Sequence, residues 1–144
     1  MGVKSDGVQY GALPWRIKDG DLQVLLVTSR DTGRWVIPKG WPMGNLAPHQ
    51  AAALEAFEEA GLLGETDVQS LGAYPYDKRL KGGAVRPCVV EVFAMRVTRH
   101  KRVWPEKLQR RRSWFAALDA ADRVDEPELA DLIRAFAETP PPAQ

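Results

Sequence analysis

With 144 residues, 44% of them hydrophobic and 27% charged, the chain is sized for one domain with its own core. A net charge of +1 excludes a global electrostatic pull toward nucleic acid or an anionic membrane surface. Cys88 is the only cysteine, which excludes an intrachain disulfide and fits a reducing, cytoplasmic compartment; the polar start MGVKSDG and the short apolar runs predict neither a signal peptide nor a membrane span.

In chain order, residues 1–7 read as a loose tail. Val8 to Ile17 reads as a first strand, with Gly11 and Pro14 pointing to an irregular or edge position. Asp19-Gly20-Asp21 is a hairpin turn, and Leu22 to Ser29, with LQVLLV at its centre, is apolar enough for burial on both faces. Arg30 to Arg34 is a loop. Trp35 to Ile37 is a short strand running into a Pro-Lys-Gly turn and a long glycine-containing loop. A helix is predicted over Pro48–Ala60, with Pro48 in its first turn and Gly61 at the left-handed position that ends it.

Beyond the helix, Asp67 to Tyr76 reads as a strand, Lys81-Gly82-Gly83 as a hairpin turn, and Arg86 to Val97 as a long strand. Thr98 to Arg112 is a basic loop, followed by a short strand over Trp114–Ala117. A final helix runs from Glu126 to Ala137, with Asp125 and Glu128 spaced as a capping box and Pro127 in its first turn. Residues 139–144 read as a second tail. There are no repeats and no linker, so 1–144 is expected to be a single domain.

The chemistry concentrates on the first helix. Glu55, Glu58 and Glu59 are spaced i, i+3 and i+4, which places three carboxylates on one face, with Ala53, Phe57 and Ala60 expected to pack on the sheet from the other. Like charges at i, i+4 cost roughly 0.2–0.5 kcal/mol per pair, and acids near a helix C-terminus oppose its macrodipole. A divalent cation turns both penalties into attraction; hard oxygen ligands suit Mg²⁺, with Mn²⁺ as the alternative. The competing reading of the triplet alone is an ordinary solvated acidic face. The upstream RWVIPKG tips the balance, since a loop able to cradle phosphates then adjoins the acidic helix.

The segment Gly40–Leu62, GWPMGNLAPHQAAALEAFEEAGL, resembles the Nudix box, G-x5-E-x7-R-E-U-x-E-E-x-G-U with U a bulky aliphatic. Gly40 opens the pattern, Glu55, Glu58 and Glu59 fill the helical acidic positions, and Gly61 and Leu62 close it. Three positions depart: Leu46 stands in place of the first Glu, Leu54 in place of the Arg that braces the glutamates in the family, and Ala56 in place of an aliphatic residue. The resemblance implies an α/β (α+β) Nudix fold, a mixed sheet between helices, and a Mg²⁺-dependent pyrophosphohydrolase. It further implies Glu55, Glu58 and Glu59 as metal ligands and Glu58 or Glu59 as general base. Arg30, Lys39, Gly40 and Arg86 are the expected substrate contacts. RWVIPKG and the pairing of Trp104-Pro105-Glu106 with RRRSWF look similar to the diphosphoinositol-polyphosphate and diadenosine-polyphosphate hydrolase branch.

Other candidates carry less. Glu91 and Glu106 are equal candidates for a further metal ligand from outside the box. His49 and His100 are isolated and make neither a zinc site nor a triad. Cys88 reads as core, and Trp104 and Trp114 as packed aromatics before base-stacking ones. Basic residues cluster over Lys78–Arg86 and Arg99–Arg112, while seven acids lie between Ala117 and Glu138, a segregation able to focus a polyanion onto one cleft. The expected partner is a small phosphorylated substrate, with no membrane or nucleic-acid partner, in a monomer or homodimer. The alternatives are a hydrolase of nucleoside triphosphates or nucleotide sugars, and a Nudix-fold nucleotide sensor weakened by Leu46 and Leu54. An RNA-binding surface around Arg110–Trp114 ranks below these.

Overall fold

Strands that are apolar on both faces require cover on both sides, and three strands here have that character. In the computed structural model, which describes residues 7–140, they are β1 (Val8–Lys18), β2 (Asp21–Thr28) and β7 (Val85–His100). The other elements are β3 (Trp35–Val36), β4 (Lys39–Gly40), α1 (Pro48–Ala60), β5 (Leu62–Thr66), β6 (Gly72–Arg79), β8 (Arg112–Ala116), α2 (Ala117–Arg123) and α3 (Pro127–Glu138). The expected tails lie largely outside the described residues, but Gly7 is held, its carbonyl accepting from Val89 N–H at 3.1 Å.

The strands form one mixed sheet with the path β3-β2-β1-β7-β5; β4 pairs with β1, β6 with β7 and β8 with β2. β1 and β7 run parallel, and the other pairs are antiparallel. Alternation then divides the core. Ala12, Leu25, Val27, Phe93 and Met95 face α1, while Leu13, Val24, Leu26, Val90, Val92 and Ala94 face α2 and α3. The expected sheet between helices is therefore present, and β2 is buried on both faces as its composition predicts.

Several expectations need correction. β1 is central, not an edge. Ala12 N–H donates to Pro38 O at 3.0 Å, so the nitrogen two residues on, in Pro14, points to the same side. There it falls between the β4 and β2 pairings, where no ladder bond is lost. The strand expected at Asp67–Tyr76 begins only at Gly72, and β7 continues through His100, which shortens the basic loop to residues 101–111. β8 starts earlier than expected, at Arg112, and β4, β5 and α2 were not anticipated. Asp125 forms no capping box: Glu126 is the N-cap of α3 without a side-chain cap, and both acids turn to Arg34 instead, at 3.8 and 2.8 Å.

The face of α1 that packs on the sheet carries Ala52, Ala56 and Ala60, not Ala53 and Phe57. Glu55 and Glu59 lie on that buried side, and only small neighbours let the backbone come close enough to enclose them. Gly61 ends the helix at φ 68°, as predicted, and a Cβ there would also meet the Trp104 ring at 2.7 Å. Gly61→Ala is expected to destabilise the fold by roughly 2–3 kcal/mol, combining left-handed strain with overpacking; thermal or urea unfolding measures it.

Candidate active site

Lys39 and Gly40 form β4, which pairs with Tyr10 and Gly11 of β1 and brings the Pro-Lys-Gly turn beneath α1. Gly40 is required by a close approach: a Cβ at this position would collide with the carboxyl group of Glu55. Gly40 thus makes room for an acid, whatever it also offers a substrate.

Glu55 is 7% exposed and Glu59 5%, whereas Glu58 is half-buried. The Glu55 and Glu59 carboxyls hydrogen-bond each other. Burial, reinforced by the charge of Glu59 and the shared hydrogen bond, pushes Glu55 up to about 8. Burial also raises Glu59, against the pull of Arg110 and Lys39. Burial lowers the Lys39 ammonium to about 8 although Glu59 and Glu126 oppose it, and its Nζ sits 4.3 Å from the centre of the Tyr76 ring.

These groups line an open cavity of about 380 Å³, a volume suited to a small ligand. Glu55, Glu58 and Glu59 share it with Arg30, Lys39, Gly40, Lys78 and Arg110. Arg30 is fastened by Nη1 to Gln109 Oε1 at 3.0 Å. Arg86 lies outside the lining and is exposed; its guanidinium covers the ring of Trp41, a lining residue, at 4.6 Å. Of the two further acids, Glu106 lines the cavity and Glu91 does not, being held in β7 opposite Tyr10 and Ala73.

The basic loop does not form an open phosphate rim. Arg112 donates to Ala60 O at 2.7 Å and Lys101 O at 2.9 Å, and Trp104 Nε1 donates to Glu59 O at 3.1 Å. Glu106 N–H reaches Glu58 O at 3.0 Å. The loop therefore closes over the C-terminal end of α1, which accounts for Trp104 and for the charge of Arg112. Trp114 sits in β8 and donates to His100 Nε2 at 2.9 Å, and Cys88 is buried as expected.

Among the lining residues that the sequence does not single out, Gln9 stands apart. Gln9 is 3% exposed, and its amide oxygen has no hydrogen-bond partner. A lone Gln in a strand gives no sequence signal. Only its buried, unsatisfied acceptor beside the acids marks it.

The donor set fits a hard divalent cation as a partial shell. Among the described residues no three acid, imidazole or thiol groups already converge as a closed ion site. Mg²⁺ commonly takes only one or two carboxylates and completes its shell with water and phosphate oxygens. The Glu55–Glu59 pair, with Glu58 beside it on the helix, matches that need, since burial favours the protonated form of both carboxyls and a cation would replace those protons.

The chain matches the NUDIX domain family model over residues 9–136. It is 28% identical over 134 residues to Nudix hydrolase 21, chloroplastic, of Arabidopsis thaliana, an alignment covering 88% of this chain and 64% of the relative. It is 30% identical over 110 residues to diphosphoinositol polyphosphate phosphohydrolase 3-alpha of Mus musculus, covering 75% of this chain and 63% of that protein. The chain thus spans a little under two thirds of the length of these curated relatives. The crystal structure of the C. elegans Ap4A hydrolase superposes with a TM-score of 0.68 at 21% identity, covering 92% of this chain and 96% of that one. At that identity the likeness concerns the fold. No helix among the described residues is long and apolar enough to cross a membrane.

The raised Glu55 carboxyl has a signed consequence. In the metal-free protein its folded value of about 8 lies above its ordinary 4.5, so its contribution is full below 4.5 and is lost as pH rises toward 8. Lys39, lowered to about 8, begins to lose its proton in the folded state only near the top of that range, where it opposes the fall. In EDTA, stability is expected to fall from pH 5 to 8, and Glu55→Gln to flatten that slope; melting temperatures across the range measure both.

Proposed function

Because the chain belongs to the Nudix family, we propose that it is a metal-dependent pyrophosphohydrolase acting on a phosphoanhydride bond of a nucleoside-diphosphate-linked or polyphosphate substrate. The observation that carries this reading is the buried Glu55–Glu59 carboxyl pair facing a cavity shared with Arg30, Lys39 and Lys78. Two buried acids beside three cations form a poor structural arrangement, yet a suitable one for a metal–phosphate complex.

Glu55, Glu58 and Glu59 would hold the cation, Mg²⁺ by preference and Mn²⁺ as the alternative. When bound it would supply charge neutralisation to the phosphates and make the attacking water more acidic. Lys39, Arg30 and Lys78 hold the non-bridging oxygens and stabilise charge as it develops there. Arg86, at the mouth over Trp41, extends the same series of cations outward. The water oxygen bonds to phosphorus as the bridging P–O bond breaks. The leaving phosphate keeps the electron pair, and Glu58 or Glu59 takes the water's proton.

The substrate we favour is a diadenosine polyphosphate or a diphosphoinositol polyphosphate. This rests on RWVIPKG, on the Trp104–Glu106 and Arg110–Phe115 segments, and on the activities that the mouse relative and the nematode structural neighbour are named for. Mg²⁺-dependent product release from a panel of both classes, nucleoside triphosphates and nucleotide sugars tests it. A preference for either of the first two supports the assignment, and preference for a triphosphate or a nucleotide sugar overturns it. Binding without turnover across the panel would mark a sensor. Glu59→Gln is expected to cut turnover about a thousand-fold while leaving the melt near that of the parent; full activity in this variant would sink the role given to Glu59.

A further inference from the structure

The family pattern places an arginine at position 54 to brace the helix glutamates, and this chain has Leu54 there. A guanidinium nevertheless sits among the carboxylates, brought in from the loop between β7 and β8. Arg110 is 10% exposed, its Nε donates to Glu106 Oε1 at 2.7 Å, and its Nη2 lies 3.6 Å from Glu59 Oε2. Its Nη1 donates to Thr28 O at 3.1 Å.

The loop is pinned independently on both sides of this residue. Thr28 N–H donates to Arg111 O at 3.0 Å, and Arg111 N–H donates to Thr28 Oγ1 at 2.8 Å. Glu106 N–H is bonded to Glu58 O. A guanidinium hydrogen-bonded through Nε and Nη1 and ion-paired through Nη2, on a loop tied to both β2 and α1, is a fixed charge.

We propose that Arg110 replaces the absent box arginine as a positioning residue, holding the Glu59 and Glu106 carboxylates together toward the cavity and serving as their counter-ion until a divalent cation enters. The inference rests on the reading of Glu55, Glu58 and Glu59 as the metal-bearing cluster. It differs from a phosphate-contact role, which the cavity position of Arg110 would otherwise suggest, because Nε and Nη1 are spent on Glu106 and Thr28 and Nη2 faces Glu59, so an arriving phosphate would compete with a carboxylate for it. It also differs from simple loop anchoring, because two of the three partners are carboxylates.

Thermal unfolding with the metal alone as probe separates these roles. Arg110→Met keeps the bulk of the side chain and removes the charge. In EDTA it should lower the melting temperature by on the order of 10 °C, since it leaves buried acids uncompensated. Excess Mg²⁺ should then restore more stability to the variant than it adds to the parent. In a Glu59→Gln/Glu106→Gln background, the cost of Arg110→Met in EDTA should fall by at least half.

An equal loss with and without Mg²⁺, undiminished in the double-Gln background, would make Arg110 a loop anchor and overturn the proposal. If Arg110→Met does not fold in EDTA, recovery of folding in the double-Gln background supports the proposal, and failure to recover overturns it. A parent that gains nothing from Mg²⁺ would refute the metal reading, while the cycle in EDTA would still decide the role of Arg110.

Discussion

Burying a carboxyl group costs several kcal/mol unless it is protonated, paired or bound to a cation, and α1 buries two of them against the sheet. Much of the surrounding design follows from that cost. Gly40 has no side chain because Glu55 occupies the space one would fill. Ala52, Ala56 and Ala60 are small because the helix must approach closely for the acids to be enclosed at all. The larger apolar groups of the same layer, Leu25, Val27, Phe93 and Met95, offset the expense, each fully buried side chain contributing about 1.5–3 kcal/mol.

The C-terminal end of α1 compounds the problem, because its unsatisfied carbonyls present negative charge where Glu58 and Glu59 already stand. The β7–β8 loop answers with donors aimed at those carbonyls: Arg112 at Ala60, Trp104 at Glu59, and backbone N–H groups of Glu106 and Lys101 at Glu58 and Gly61. Arg112 also stacks over Trp104 at 3.9 Å, so the two caps support each other. Of the basic side chains in this region Arg112 is spent on the helix end and Arg110 on acids, so composition alone overstates how much of the segment is free to meet phosphate.

How legible each feature is in the sequence depends on how local its cause is. α1 ends where Pro48 and Gly61 say it should, because both signals act through their own φ angles. The hairpin at Asp19–Gly20 is equally local, with both residues at positive φ. The packed face of α1 differs from the expected one at Ala53 and Phe57, because polarity normally marks the exposed side and here Glu55 and Glu59 are buried. β4 and β5, of 2 and 5 residues, carry too little pattern to register, and α2 is a single short alanine-bearing stretch. The acidic trio is legible because motif spacing encodes it, whereas Arg30 and Lys39 stand out only as cations flanking the motif; all five line the cavity. Arg110, Gln9 and the Trp104 cap are not legible, since their partners are supplied by the fold: Trp104 and Glu59 are 45 positions apart.

The arrangement of aromatics bears on what the site reads in a ligand. Trp41 and Tyr76 both line the cavity, and a dinucleoside substrate would seek such rings for its bases. One face of each is already taken by a cation, Arg86 over Trp41 at 4.6 Å and Lys39 over Tyr76 at 4.3 Å. A base could stack only on the opposite face, or by displacing a charge that the phosphates need. Contact with the rings restrains the same cations, which would reduce the side-chain entropy lost on binding an anion. On the substrate assignment proposed above, the rings Trp41 and Tyr76 would therefore serve the phosphate contacts first, through the cations they hold, and recognition would run through the polyphosphate chain more than through what it links.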